Sequence, residues 1–219
     1  MRVRHIFRVF VVAAILASGL APFPAVSAQD GSLFADGKKR LSEFTTEELL
    51  SRKMPAELLF LPTAISNISM PGNRAGIWAL DALDAVRYGL KVDLVHDQRY
   101  DDTLCTLAAL SCLQEYFERY GEWNMAIAAY LHSPAVLNAC LQSGDSTLLL
   151  HTLSLSDLAQ MKKSNYPSSL EELSTIGFDR PISLEAVTFV TGISAAEFSK
   201  ANPIFRSDPL VPLDGYGLR

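Results

Sequence analysis

Thiols, one histidine and a set of carboxylates are the residues of this 219-residue chain whose types and spacing can do chemistry. The cysteines are Cys105, Cys112 and Cys140. Seven residues along a helix separate two side chains by roughly 10 Å, whereas a disulfide needs Cα atoms within about 7 Å. Cys105 and Cys112 are therefore not expected to bridge each other. His132 is the one histidine near Cys140, too sparse a ligand set for zinc, so the cysteines read as small buried apolar groups. No metal site and no cofactor is expected. His132 lacks a catalytic partner, and no Gly-x-Ser-x-Gly segment accompanies it. Asp81 and Asp84 are candidate proton donors, weighed against the solvated face that acidic residues on a helix usually form. Asp97, Arg99 and Asp101 read as an ion-pair cluster that holds a loop.

The elements that must position these groups are mostly helices. Thr45-Thr46-Glu47-Glu48 reads as a capping box, with Thr45 at the N-cap of a helix that stops before Pro55. Ala56 to Ser66 suits a buried helix kinked at Pro62. Pro71-Gly72-Asn73 is a loop, and Gly76 to Tyr88 is expected as helix, closed by Gly89. Asp101 or Asp102 caps a helix running to Tyr120, which Gly121 ends. Trp123, Ala126, Ile127 and Tyr130 fall on one apolar helical face. Pro134 opens a further helix to about Leu141. From Pro181 the order is a short β-prone run, a helix near Leu184 to Thr191, another near Ala195 to Ala201, and a Pro- and Gly-rich tail with a closing strand.

Three stretches give this helical frame a chemistry. They are Pro55 to Pro62 followed by Thr63-Ala64-Ile65-Ser66; Ala75-Gly76-Ile77-Trp78, then Tyr88 to Asp93 and Asp97 to Asp101; and Gly121 to Tyr130. In order and spacing they resemble the lytic transglycosylases of the soluble-lytic-transglycosylase (lysozyme-like) family, membrane-bound lytic transglycosylase D type. The resemblance covers Pro55 to about Leu141. Residues after Pro181, notably Thr191-Gly192-Ile193-Ser194 and Ala201-Asn202-Pro203, resemble the small βααβ LysM-like module that often follows, although its Gly-Asp-Thr-Leu opening is absent.

The resemblance implies a particular reaction and also its loss. In the family a leucine-proline pair is followed two residues later by Glu-Ser, and that glutamate protonates the glycosidic oxygen of peptidoglycan. It then takes the proton of the muramoyl 6-hydroxyl, giving a 1,6-anhydro sugar. One carboxyl does both general acid and general base work, without the usual carboxylate pair of glycosidases. Here Leu61-Pro62-Thr63-Ala64 leads to Ile65 at the glutamate's position, and an aliphatic side chain neither gives nor accepts a proton. Gly-Leu-Trp-Gln appears as Gly76-Ile77-Trp78-Ala79, and Tyr-Asn-Ala-Gly as Tyr130-Leu131-His132-Ser133. No catalytic residue remains. The positions left for substrate contact are Ser66, Trp78 and Tyr130. For Trp78 the spacing favours core over stacking on a sugar; for Tyr130 both stay open. Glu57, eight residues before Ile65 and so about 12 Å away along a helix, fits an ordinary non-catalytic glutamate. Asp81 or Asp84 as a displaced acid is the alternative.

The chain's address comes from its start. Arg2, Arg4 and Arg8 precede an apolar run from Val9 to Leu20, then Pro22, Pro24 and Val26-Ser27-Ala28, the pattern of a cleavable signal peptide. The run is shorter than the roughly 20 residues of a bilayer span, so export to the periplasm, with Gln29 as the mature N-terminus, is the expectation. Removing those three arginines from 19 basic residues leaves 16 against 24 acidic, a mature charge near −8. Nucleic acid is thereby excluded as a partner, because phosphate contacts need clustered Lys and Arg. The expected organisation is a signal peptide at 1–28, a flexible leader at 29–44, a mainly α lysozyme-like domain at 45–158, a linker at 159–180 and a small α+β LysM-like tail at 181–219. The function expected of it is that of a cell-wall pseudoenzyme which binds peptidoglycan glycan strands or scaffolds a wall enzyme, with no stable membrane span after cleavage. A protein-interaction module with a closed cleft is the further alternative, and an open or filled groove beside Trp78 and Tyr130 distinguishes the two.

Overall fold

The structure, a computed structural model, describes residues 37–66, 68, 70, 72–161, 176–213 and 217–218. The expected signal peptide and most of the expected linker lie outside them. The chain divides into two units. One is helical and takes its described residues from 37–92 and 97–161; the other combines Asp93–His96 with the C-terminal residues.

The helical unit begins earlier than the sequence suggests. A helix spans Gly37–Ser51, so the expected leader of 29–44 is already helical from Gly37 and Thr45 is not its N-cap. Thr45 Oγ1 donates to the Leu41 carbonyl at 2.8 Å and Thr46 Oγ1 to that of Ser42 at 2.7 Å. A threonine bonding four residues back inside a helix has the same spelling as a capping box. A 3₁₀ turn over Ala56–Phe60 then gives way to a short helix, Leu61–Ile65. Pro62 stands in the first turn of that second helix, where its missing N–H has no intrahelical partner to lose. The expected kink is thus a junction between two short helices.

The next correction concerns residues 76–81. Arg74–Ala75 pairs antiparallel with Leu80–Asp81, with Arg74 opposite Asp81 and Ala75 opposite Leu80, and helix resumes only at Ala82–Arg87. Two left-handed positions, Gly76 at φ 75° and Ala79 at φ 44°, turn the chain between the strands. A Cβ on Gly76 would lie 2.0 Å from the Arg99 carbonyl oxygen, so that position needs glycine on contact as well as on φ. Asp81 closes the hairpin and caps the new helix, accepting from the Leu83 N–H at 2.9 Å.

The long helix Asp102–Tyr120 follows, started by Asp101, which accepts from the Leu104 N–H at 2.8 Å, and ended by Gly121 at φ 73°. Against it packs Trp123–His132. The expected apolar face of that helix is buried at Ala126, Ile127 and Tyr130, while the Trp123 ring stacks on Phe117 with centroids 4.3 Å apart. Pro134–Ser143, Thr147–Leu150 and Leu155–Ala159 complete the helical unit. Its core includes Leu58, Leu61, Ile65, Trp78, Leu113 and Ile127. Cys105 and Cys112 lie on the long helix, buried and unbridged, and Cys140 is also a free thiol.

The second unit has the order strand, helix, helix, strand. Ile176–Gly177 pairs antiparallel with Gly217–Leu218, and Leu184–Thr191 and Ala195–Ala201 lie between them in sequence, capped by Ser183 and Ser194. Its core is Phe198, Ile204, Phe205 and Leu210. Asp93–His96 belongs to the same unit: His96 bridges Phe205 antiparallel, the Arg206 N–H donates to the Val95 carbonyl at 2.7 Å, and His96 Nε2 bonds the Val211 carbonyl at 2.9 Å. No helix among the described residues is long and apolar enough to cross a membrane.

Candidate functional site

Ile65 ends the Leu61–Ile65 helix and is 3% exposed, part of the apolar core. It presents no polar atom and no surface to a substrate. Ser66 follows it at the surface, its hydroxyl turned back to donate to the Thr63 carbonyl at 2.7 Å. In the same apolar core the hairpin holds Trp78, which is 0% exposed. Its indole N–H donates to Thr106 Oγ1 at 2.9 Å, and that hydroxyl donates to the Asp102 carbonyl at 2.6 Å. Tyr130, 2% exposed, donates its phenol to the Trp78 carbonyl at 2.7 Å. Burial, reinforced by the thiols of Cys105 and Cys112, pushes the Tyr130 phenol well above its usual range, so it is a neutral donor at any working pH. Neither ring offers a face to solvent in this arrangement. Trp78 and Tyr130 join the hairpin to two helices, and Ser66 stands apart from them as the exposed member of the three.

Two arginines fix the hairpin. Arg99 is 1% exposed and meets Asp97 in a two-pronged pair, Nε to Oδ1 at 2.9 Å and Nη2 to Oδ2 at 2.8 Å. Its remaining donors reach the Asn73 and Leu80 carbonyls, either side of the turn. Asp97 and Arg99 thus form the loop-holding pair expected from the sequence, while Asp101 serves as a helix cap. Arg74 is the residue that sequence reasoning missed. Half-buried on the first strand, it donates to the Ala79 carbonyl at 3.1 Å and to those of Tyr130 and Leu131 at 3.0 and 3.2 Å. Its guanidinium lies 6.0 Å from the centre of the Tyr130 ring. Nothing local in the sequence marks it, because its partners are carbonyls up to 57 positions away.

The two carboxylates weighed as replacements for a lost acid, Asp81 and Asp84, are already engaged. Asp81 caps the Ala82–Arg87 helix. Asp84 accepts from the Tyr116 hydroxyl at 3.4 Å and lies 3.7 Å from Arg87. Glu57 is half-buried on the 3₁₀ turn. His132 pairs its Nε2 with Thr152 Oγ1 at 3.0 Å; burial, and then the positive charge of Arg74, hold its pKa below the usual value. Among the described residues no cluster of three or more His, Cys, Asp or Glu side chains could hold a metal ion.

Two non-glycine residues around this site have left-handed or extended positive-φ backbones. Ala79 is at φ 44° and Ser133 at φ 82°, ψ 149°. The second conformation is one that essentially only glycine adopts, at a cost of about 1–3 kcal/mol. Both fall at sequence positions where the resemblance places residues that shape a sugar cleft.

No curated protein matches the chain. Residues 43–143 match the family model described as the transglycosylase SLT domain.

Proposed function

We propose that this is an exported, cell-wall-associated protein of lytic transglycosylase descent that does not cleave peptidoglycan. The observation carrying the proposal is Ile65, an aliphatic residue 3% exposed where the resemblance puts the acid–base glutamate. Loss of a general acid or base costs about 10² to 10⁴ in rate, and here one residue would have held both roles. A displaced acid draws little support from the geometry, because Asp81 is occupied as a helix cap and Asp84 by Tyr116 and Arg87. Its role at the wall would be to bind glycan strands weakly or to scaffold a wall enzyme. The burial of Trp78 and Tyr130 lends weight to the further alternative, a protein-interaction module with a closed cleft. The strand–helix–helix–strand order of the C-terminal unit supports reading it as the LysM-like module.

Digestion of purified sacculi with the mature protein, followed by mass analysis, tests the central claim: no anhydro-muropeptides should appear above a blank. Robust anhydro product, abolished by Asp81→Asn or Asp84→Asn, would overturn it and identify the replacement acid. Co-sedimentation with the same sacculi separates the two roles, since binding supports the glycan ligand and its absence supports the interaction module.

A further inference from the structure

Between the first turn of the Trp123–His132 helix and the chain from Leu149 to Ser154 lies a cavity of about 190 Å3, far above the roughly 30 Å3 share of one water. Met125, Leu149 and Leu153 supply its apolar lining, and Glu122, Thr152 and Ser154 its polar one. The two walls are tied together at two places: Asn124 Oδ1 accepts from the Leu155 N–H at 3.0 Å, and His132 Nε2 bonds Thr152 Oγ1 at 3.0 Å. The space is therefore preformed. Its hydroxyls are already used, since Thr152 Oγ1 donates to the Leu148 carbonyl at 2.7 Å and Ser154 Oγ to Asp157 Oδ2 at 2.7 Å. Glu122 differs from them. It stands exposed at the N-cap position without capping the helix by its side chain, and the hydrogen bond it accepts is a 3.5 Å contact from Asn124 Nδ2. Among the described residues no Lys or Arg lines the cavity. His132, behind Thr152, has its pKa lowered by burial and by Arg74, which keeps it largely neutral at pH 7 and above.

We propose that this cavity is a docking pocket for a lysine side chain of a partner protein, its stem against Met125, Leu149 and Leu153 and its ammonium at Glu122. An apolar recess with one underused carboxylate at its edge matches a ligand that joins an alkyl chain to a positive head. Lysine has that form, burying its methylenes along apolar surface while the ammonium stays at the water boundary. Charge points the same way over longer range: the chain carries 24 acidic against 19 basic residues, a field that draws a basic partner. That the lysine belongs to a protein rests on the interaction-module form of the proposed function; the pocket's chemistry does not.

Titration of the full mature chain with N-acetyl-lysine methylamide, followed by amide resonances, tests the inference. Shifts should concentrate at residues 122–125 and 149–154, with a dissociation constant on the order of 1 mM, the scale of about four buried methylenes and one exposed ion pair. The norleucine counterpart, of the same shape without the charge, should bind about threefold to fivefold more weakly. Glu122→Gln, which removes no capping bond, should bring the lysine probe down to the norleucine level. Absence of shifts at those residues would overturn the pocket, as would equal binding of the two probes or lysine binding untouched by Glu122→Gln. Tighter binding of free 1,5-diaminopentane than of the lysine probe would overturn the protein side chain as occupant. Because the probes contain no glycan, their failure would remove the pocket and leave the absence of peptidoglycan cleavage standing.

Discussion

Replacing Ile65 by glutamate restores the missing carboxyl, and the burial of that position sets the cost. Ile65 is 3% exposed within the core, so the new side chain enters an apolar environment. Burial raises a glutamate's pKa by up to 3–5 units; a rise of about 3 units, from about 4.3 to about 7.3, corresponds to about 4 kcal/mol at 1.36 kcal/mol per unit. The sign is fixed by which state ionises first. Below about pH 4.3 the acid is neutral whether folded or unfolded, and the only loss is apolar burial, about 1–3 kcal/mol. Between about pH 4.3 and 7.3 the unfolded chain ionises and the folded one resists, so stability falls with rising pH and levels off above that window. At pH 8 the combined loss of about 5–7 kcal/mol rivals the whole stability of an ordinary domain. Urea unfolding followed by circular dichroism at pH 4.5 and pH 8 measures this directly, with Ile65→Gln as the neutral control of similar shape. Equal stability of the Glu and Gln variants at both pH values would show that position 65 faces water in an open cleft, and would refute the argument. The folded fraction should release little anhydro product, since Ala79, Leu131 and Ser133 leave the sugar unpositioned and misplacement by about 1 Å costs roughly 10²-fold.

Other perturbations draw on the same geometry. Asp97→Asn leaves Arg99 buried without its counter-ion and should cost about 3–5 kcal/mol in chemical denaturation, whereas Asp97→Leu with Arg99→Met should cost less than the two single changes added together. Ser133→Gly removes about 1–3 kcal/mol of backbone strain, loses a few tenths as an N-cap and adds about 0.4–1 kcal/mol of unfolded-state entropy. The net should be a gain of about 1 kcal/mol, read as a higher urea midpoint. Burial pushes the Cys105 and Cys112 thiols up to about 12, so at pH 8 both stay protonated. A thiol reagent should therefore modify Cys140 alone in the native protein and all three cysteines in denaturant, and mass mapping should find no bridge between Cys105 and Cys112.

What the sequence made legible was chiefly local chemistry. Asp101 as a cap, Gly121 as a stop and the apolar face from Ala126 to Tyr130 each depend on neighbours within a turn or two, so they could be read without the fold. The Asp97–Arg99 pair was legible for the same reason, being two residues apart. The hairpin between Arg74 and Asp81 was not, because apolar residues spaced as on a helix outweighed the positive φ at Gly76 and Ala79, which has no signature in spacing. Thr45 misled in the opposite direction, as its hydroxyl bonds backward rather than forward. At the site, Ile65 stood out only beside the family motif. The way the hairpin is tied to the helices depends on Trp78 reaching Thr106, and on Arg74 reaching Tyr130 and Leu131, contacts 28 to 57 residues apart in sequence.

The membership of Asp93–His96 in the C-terminal unit bears on the order in which the protein can be made. His96 and its partner carbonyl at Val211 are 115 positions apart, and Asp93 and Arg206 are 113 apart. Synthesis proceeds from the N-terminus, so this tetrapeptide emerges long before the residues that complete its unit. Contacts so far apart in sequence also carry a high loop-closure entropy and form slowly. This unit can therefore form only after residues 205–211 have been made, and a product shortened before them cannot assemble it. A product shortened before residue 205 would present the Asp93–His96 backbone without the partners it has at Phe205, Arg206 and Val211.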